Sequence, residues 1–425
     1  MAYFGLVTTL QNVRKDPKSD RLYLADCFNE GVIVGEDAVE GEIVLYLPAD
    51  GQVARWFGDR FQLFRKNEDG TAQGGYLEDN GHIRAIKLRG NESAGIAIDI
   101  CKIFAAFGEQ PWNVGDKVNT INGKEFCTKY IPKRKNSGGG NTPKTSYKGR
   151  KAAGLIFPEF AMHSDTEQLA YNTDKFREGD ELNITLKMHG TSQRSMFTYA
   201  QYPLSFWRRL FRMKPKISPA YILGTRRTVL TDVHGGFYGN DAFRMLHHEA
   251  IRRFVEPGME IFYEVVGWYG EAEEQTIMPI ADNSRVNDKK FRKKYGDKTV
   301  FSYGCHPGES AMYVYRITAN NGEIEFTPDQ ITEWCEKAGV NRVPIVENCT
   351  FTTIEDLNER INRYFEDLTD PVGKTHVKEG VVVRIVNRRT FTAFKQKTLE
   401  FKILEGIVKD TADAPDMEEA DEEGV

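Results

Sequence analysis

Lys187 opens the hexapeptide KMHGTS, in which a lysine, a histidine, a glycine and two hydroxyl residues follow one another closely. The preceding ELNIT alternates Leu182, Ile184 and Leu186 in the manner of a strand with one buried face. A lysine at a strand end, followed by a glycine turn and two small hydroxyls, can attack a phosphate held by that turn. Lysine is mostly protonated near neutral pH. It becomes a nucleophile only where nearby positive charge or desolvation lowers its pKa. Four further segments follow in order: Glu264 in FYEVVG, the aromatic strand MYVYRI (312–317), Glu379 in KEGVVVRI, and FKQK (394–397). Alternation places Lys395 and Lys397 on one strand face. In MYVYRI it places Tyr313 and Tyr315 on one side, with Met312, Val314 and Arg316 on the other.

This ordered series resembles the covalent nucleotidyltransferase superfamily of ATP-dependent ligases and mRNA capping enzymes. That family runs K-x-D/H-G, a glutamate strand, an aromatic strand, an E-G-hydrophobic strand and a K-x-K strand. The histidine form of the first motif, with Thr-Ser after the glycine, is similar to nick-sealing RNA ligases. The resemblance covers roughly residues 150 to 405. It implies three steps: lysine attacks the ATP α-phosphate, AMP passes to the RNA 5′-phosphate, and a 3′-hydroxyl displaces AMP. It implies Lys187 as nucleophile, with Lys395 and Lys397 on the phosphates. His189 and Gly190 would shape the nucleotide loop, and Thr191 and Ser192 would bond phosphate or ribose. Arg226, with Arg227 as its alternative, would meet the ribose or an end phosphate. Glu264 would accept both ribose hydroxyls, Tyr315 would stack on adenine, and Glu379 would ligate Mg²⁺ or Mn²⁺.

Elements must hold these groups in place. Residues 3–110 show short alternating segments with turn signals, among them RLYLADC, GVIVG, GEIVLYLPADG, HIRAIKLRG and SAGIAIDI, spaced as in a small β-barrel. NVRKDPKSDRLYLA followed by VIVG, EGEIVLYLP and IKLRGNESAG resembles the OB modules of tRNA-binding proteins and of the Naegleria-type RNA ligases. The fold expected is α+β: an N-terminal OB-fold β-barrel (1–128), a basic linker (129–151), a nucleotidyltransferase (ATP-grasp-like ligase) domain of antiparallel sheets and flanking helices (152–408), and an acidic tail (409–425). His82, Arg84, Lys87 and Arg89 are candidates for an RNA-binding face, although alternation separates the first two from the last two unless a bulge intervenes. Lys133, Arg134 and Lys135 of the linker are candidates for phosphate contacts, as are the basic residues of 285–298. Helices are expected at 241–255, with Phe243, Leu246, Ala250, Ile251 and Phe254 inward, and after the N-cap candidates Thr327 and Thr353.

Composition fits a soluble enzyme, with 40% hydrophobic and 28% charged residues. No apolar run approaches the roughly 20 residues that span a bilayer, and the N-terminal residues lack a signal-peptide layout. Six scattered cysteines without a C-x-x-C suit reduced thiols and a cytoplasmic location, a host's cytoplasm if the chain is phage-encoded. The net charge of −5 owes everything to eight acids in 410–425, a stretch read as a disordered, solubilising tail. The expected partners are ATP, Mg²⁺ or Mn²⁺, and RNA with 3′-OH and 5′-phosphate ends, in the form of a nicked duplex; the enzyme is expected to be a monomer with no membrane contact. DNA ligases and capping enzymes carry their OB domain after the K-x-K strand, where too few residues follow here. A non-catalytic OB-fold RNA-binding protein is the other alternative, and labelling by ATP separates it.

Overall fold

The computed structural model describes residues 3–17, 22–28, 30–49, 51–66, 75, 77–88, 91–130, 151–152, 154–161, 166–204, 210–211, 213–226, 228–230, 238, 241–286, 289–405 and 408–410. The chain divides into two compact units. The first comprises 1–136, 282–297 and 399–425; the second comprises 137–281 and 298–398.

In the first unit, the alternating segments form strands where the pattern places them: Tyr23–Cys27, Glu30–Val34, Ile43–Pro48, Ala85–Leu88 and Gly95–Asp99. Among the described residues they are distributed over several small sheets rather than one closed ladder. Gly5–Thr9 is sandwiched antiparallel between Lys117–Val118 and Ile43–Pro48, and the latter pairs with Gly95–Asp99. Inward residues Val7, Leu45, Leu47, Ile96 and Ile98 pack on Phe57, Phe64 and Phe126. Each such side chain contributes about 1.5–3 kcal/mol of burial. Two later segments join this unit: the helix Lys289–Tyr295, whose Phe291 is buried while its lysines and Arg292 stay exposed, and 399–404, where Arg285 Nη1 donates to Leu404 O at 2.8 Å.

Among the described residues, the second unit is built on two large sheets. We label its site-building elements β1 (Glu181–Lys187), β2 (Thr191–Gln201), β3 (Ile217–Gly224), α1 (Ala242–Ile251), β4 (Glu260–Gly267), β5 (Ser310–Ala319), α2 (Pro328–Ala338), β6 (Ile345–Thr350), α3 (Ile354–Phe365), β7 (Gly380–Ile385) and β8 (Thr392–Lys397). One sheet runs β8–β7–β1–β6, with Glu167–Gln168 parallel on β8. The other centres on β2–β4–β5, with β3 also on β2. Leu182 and Ile184 of β1 join Val381, Val383, Ile385 and Phe394 beneath α3 residues Leu357 and Ile361. The opposite face of that sheet is polar, and it faces the site.

Both expected N-caps are present. The Thr327 hydroxyl accepts from Gln330 N while Gln330 Oε1 accepts from Thr327 N, a reciprocal capping box. The Thr353 hydroxyl accepts from Asp356 N. Helix α1 is turned differently from its hydrophobic pattern. Phe243 and Ile251 are inward, but Leu246 is 65% exposed and Ala250 is exposed. Arg244, His247 and His248 take the buried face instead, because hydrogen-bonding partners wait there. Ser195 Oγ meets His248 Nδ1 at 2.8 Å, and Ser310 Oγ meets His247 Nε2 at 2.9 Å. A paired polar group can be buried at little cost, whereas an unpaired one cannot.

Candidate active site

Strand register brings the lysines together. Lys187, at the end of β1, stands opposite Gly380 of β7, and Gly380 stands opposite Lys397 of β8. Lys395 pairs with Val382, so both β8 lysines share the face of Lys187 and Thr185. Gly380 is required by close approach: a Cβ there would lie 2.0 Å from Gln396 O. Just before it, Glu379 is 2% exposed and receives both ammonium groups on Oε1, Lys187 Nζ at 2.8 Å and Lys397 Nζ at 3.2 Å. Burial alone would raise this carboxyl. Lys187 and Lys397 override that and hold it at about 2. The two ammonium groups thus favour the ionised form of Glu379, and its Oε2 accepts no hydrogen bond.

The turn after Lys187 crosses to the second sheet. His189 N donates to Tyr303 Oη at 2.6 Å, and the His189 ring meets Phe301 edge-on. Burial, with Lys397 and Lys187 nearby, pulls His189 down to about 3 despite Glu379, so its ring is neutral. Tyr303 holds a left-handed φ of 50°, uncommon for a residue other than glycine. Gly190 fits where a Cβ would lie 2.5 Å from Val265 O and 2.8 Å from Glu264 Cγ. Thr191 Oγ1 accepts from Arg244 Nη2 at 2.7 Å, and Ser192 Oγ lies 3.2 Å from Tyr315 Oη. Ser192 faces Glu264 across β2 and β4.

A cleft between these two sheets is lined by Asn183, Thr185, Lys187, Arg226, Glu264, Tyr315, Val382, Arg384 and Phe391, with Thr166 and Val343 at its sides. It gathers a candidate nucleophile, a carboxylate, an aromatic ring and an exposed arginine. Burial pushes Glu264 up to about 7, against the pull of Lys187 and Arg226. An acid raised in the folded state holds its proton more tightly there than in the unfolded chain. Stability is then fullest below about pH 4.5 and is lost as pH rises through about 7. Glu264→Gln should therefore exceed wild-type stability at about pH 8 by roughly 1–3 kcal/mol and lose that advantage toward pH 4.5. Urea midpoints at the two pH values check this. An equal difference at both would contradict it.

One face assignment changes. A bulge between Phe262 and Tyr263 of β4 leaves Tyr315 as the extra residue on β5. Alternation breaks there, and Arg316 turns to the Tyr315 side. Its guanidinium lies 4.8 Å from the Phe262 ring and 4.2 Å from the Phe391 ring. Tyr313 and Tyr315 remain on a common face, with Met312 and Val314 in the core.

Three site residues carried no sequence signal. Arg244 is 5% exposed and is fixed by Asp241 Oδ1 at 3.1 Å and by Gln193. It positions Thr191, but in sequence it reads as a solvent-side residue of an amphipathic helix. Arg384 is buried beside the cleft, donates to Phe326 O, and is lowered to about 10 by burial. Tyr303 lies in a loop without periodicity.

In the first unit, Arg84 Nε donates to His82 Nδ1 at 3.2 Å, and the His82 ring stacks on Tyr130 at 3.6 Å. Both precede the strand Ala85–Leu88, so the strand alternation expected to relate them to Lys87 does not extend that far. Only the backbone of Lys87 is described. Arg89, Lys133, Arg134, Lys135 and Arg227 lie outside the described residues, as does most of the acidic tail. All six cysteines are free. Among the described residues, no helix is long and apolar enough to cross a membrane.

The sequence matches the RNA ligase family over residues 180–403. No curated protein matches the chain. Among solved structures, it is similar to Naegleria gruberi RNA ligase, represented by a lysine-to-methionine variant with AMP and Mn. That match has 14% identity and a TM-score of 0.60, covering 95% of this chain and 98% of the other. The same ligase with PPi matches at 14% identity and a TM-score of 0.60 over 94% and 98%. A glutamate-to-alanine variant with ATP and Mn matches at 15% identity and a TM-score of 0.61 over 95% and 99%. At these identities the likeness establishes the fold.

Proposed function

The chain belongs to the RNA ligase family, and from that premise we propose that it is an ATP-dependent ligase joining RNA 3′-OH and 5′-phosphate ends at nicks in duplexes. One observation carries the reading: Lys187, which lines a cleft with Glu264, Tyr315 and Arg226, shares one buried carboxylate oxygen of Glu379 with Lys397. Naegleria gruberi RNA ligase, to which the fold is similar, is known in structures with AMP, ATP, PPi and Mn, a set that fits an adenylyl-transfer cycle.

In the first step, the Lys187 amine attacks the ATP α-phosphorus. A phosphoramidate bond forms, the bond to the β-phosphate oxygen breaks, pyrophosphate leaves and the amine gives up a proton. Lys395 and Lys397 offset the charge that builds on the phosphates. Glu264 and Arg226 hold the ribose, Tyr315 gives the adenine a stacking surface, and His189 to Ser192 shape the loop. In the second step, a 5′-phosphate oxygen of RNA attacks the lysyl-AMP phosphorus and frees Lys187. In the third, the 3′-hydroxyl attacks the activated 5′-phosphate, forming the phosphodiester and releasing AMP.

Glu379 suits a hard divalent cation, because its Oε2 is buried, ionised and without a hydrogen-bond donor. A Mg²⁺ or Mn²⁺ ion held there would supply positive charge beside Lys187 and favour its neutral amine. The first unit is read as an OB-fold module that engages RNA through backbone contacts, and the free thiols suit a reducing, cytoplasmic setting for a monomeric enzyme.

The test is sealing of a nicked RNA duplex carrying a labelled 5′-phosphate. A longer, phosphatase-resistant product should form only with ATP and Mg²⁺ or Mn²⁺. Nicks with DNA on one side rank strand preference. No product on any nick, with the protein labelled by ATP, would refute ligation. No labelling at all would refute adenylyl transfer.

A further inference from the structure

From Tyr202 to Lys216, the connection between β2 and β3 reads YPLSFWRRLFRMKPK, with Arg208, Arg209, Arg212, Lys214 and Lys216 and no acid, and Ile217 opens β3. The described residues here are unusual. Tyr199, Tyr202, Phe211, Met213 and Ile217 are exposed, from 41% for Tyr202 to 69% for Phe211. Tyr199 stands opposite Pro219 and Gln201 opposite Ile217, so Tyr199 and Ile217 share one strand face. The Lys216 ammonium lies 5.4 Å from the centre of the Tyr202 ring, and Tyr202 N donates to Lys216 O at 2.9 Å. Neither Lys214 nor Lys216 pairs with an acid among the described residues. Apolar side chains grouped in water mark an interaction site, and unpaired cations interleaved with rings specify an anionic partner with flat aromatic faces.

We propose that the end of the β2–β3 hairpin, built on Tyr199, Tyr202, Phe211, Lys214, Lys216 and Ile217, is a docking surface for the RNA strand at a distance from the join. The inference rests on the ligase reading above and locates a second contact for its substrate. β2 begins with Thr191 and Ser192, the latter beside the cleft residues Glu264 and Tyr315, and runs to Gln201. Ten residue steps of strand span about 33 Å, a reach of at least roughly ten nucleotides of RNA when the ~3.4 Å spacing of a DNA strand is taken as the upper figure. An RNA arm leaving the cleft therefore meets the hairpin only when it is long enough. Rings stack on unpaired or terminal bases while the ammonium groups sit on phosphates.

The experiment uses full-length protein in two variant pairs, Tyr199→Ser with Tyr202→Ser and Lys214→Ser with Lys216→Ser. These side chains are exposed and lie outside the cleft, so melting temperature and ATP labelling should match wild type. KM for sealing is measured on nicked duplexes with about 5 base pairs on each side of the nick, either blunt-ended or carrying single-stranded overhangs that extend the arms to about 20 nucleotides from the nick, either side of the predicted reach. With long arms, the tyrosine pair should raise KM about tenfold. The lysine pair should lower the salt slope of RNA affinity by about 1.4 to 1.8. Short arms should be sealed equally by all three proteins. Unchanged KM with long arms in both pairs overturns the proposal, as does an equal rise with short arms. Vesicles of phosphatidylserine and phosphatidylcholine test the other anionic surface. Wild-type capture by vesicles that both pairs lose, with RNA sealing unaltered, would assign the hairpin to a membrane and overturn the RNA assignment. A wild type that takes label from ATP but seals neither duplex would overturn the ligase reading, and this inference with it.

Discussion

Lys187→Ala is expected to abolish covalent labelling by ATP while still sealing RNA that already carries a 5′-adenylate. The side chain is only partly buried and its ammonium bonds Glu379, so its loss removes little packing. Glu379 also keeps Lys397 at 3.2 Å and is not left as an uncompensated buried charge. The fold should therefore survive with a loss near 1 kcal/mol, the scale of a partly exposed ion pair. Chemistry separates the steps more sharply. The first two require an amine on the protein, and the third requires only that the activated 5′-phosphate and the 3′-hydroxyl be held together. Labelled ATP followed by denaturing electrophoresis reads the first step, and single-turnover sealing of pre-adenylated RNA reads the third. Normal adduct formation in the variant would remove Lys187 from its role. Failure to seal pre-adenylated RNA, in a variant that melts like wild type, would show that Lys187 also serves the last step.

Glu379→Gln should slow lysyl-AMP formation by a factor of the order of 10²–10³, the scale set by deleting one preorganised electrostatic group. The amide keeps the shape but leaves two ammonium groups facing each other without their shared anion. The dependence of rate on Mg²⁺ or Mn²⁺ concentration should move to higher concentration, because a hard ligand has been replaced by a neutral one. Stability should fall as well, by about 1–3 kcal/mol, less than for a fully buried pair because both lysines reach partial solvent. The pH dependence has a definite sign. The Glu379 carboxyl is held at about 2 when folded, against 4.5 ordinarily. Its contribution is present above about 4.5 and disappears as pH falls toward 2. The stability gap between wild type and variant should thus be flat from neutral pH down to about 5 and close below that. An unchanged metal requirement, or a gap that widens in acid, would mean that Glu379 does not play this part.

Much of the second unit was legible in the sequence because its signals are local. The alternation of Leu182, Ile184 and Leu186 names the buried face of β1, and so it places Asn183, Thr185 and Lys187 on the other. Thr327 and Thr353 announce helix starts because a side-chain oxygen two or three residues before free N–H groups satisfies them wherever the helix ends up. The order of the five motifs carries the resemblance to the nucleotidyltransferases, and through it the expected chemistry, since an amine, two carboxylates, an aromatic strand and paired lysines are residue types readable without coordinates.

Other features depended on partners distant in sequence. Hydrophobic periodicity placed Leu246 inward, yet Arg244, His247 and His248 are buried because Thr191, Gln193, Ser195 and Ser310 meet them from other strands. Arg316 reached the Tyr315 side through a one-residue bulge against β4, and a local pattern contains no trace of the register of its neighbour. Residues 282–297 and 399–404 cluster with the first unit although the motifs around them build the second. The sequence by itself determined which groups could react and which faces of single strands would be apolar, because those follow from residue type and backbone period. Only tertiary structure decided that Lys187 and Lys397 meet on one oxygen of Glu379, because that meeting requires β1, β7 and β8 to pair in one register, with Gly380 admitting the close approach of Gln396.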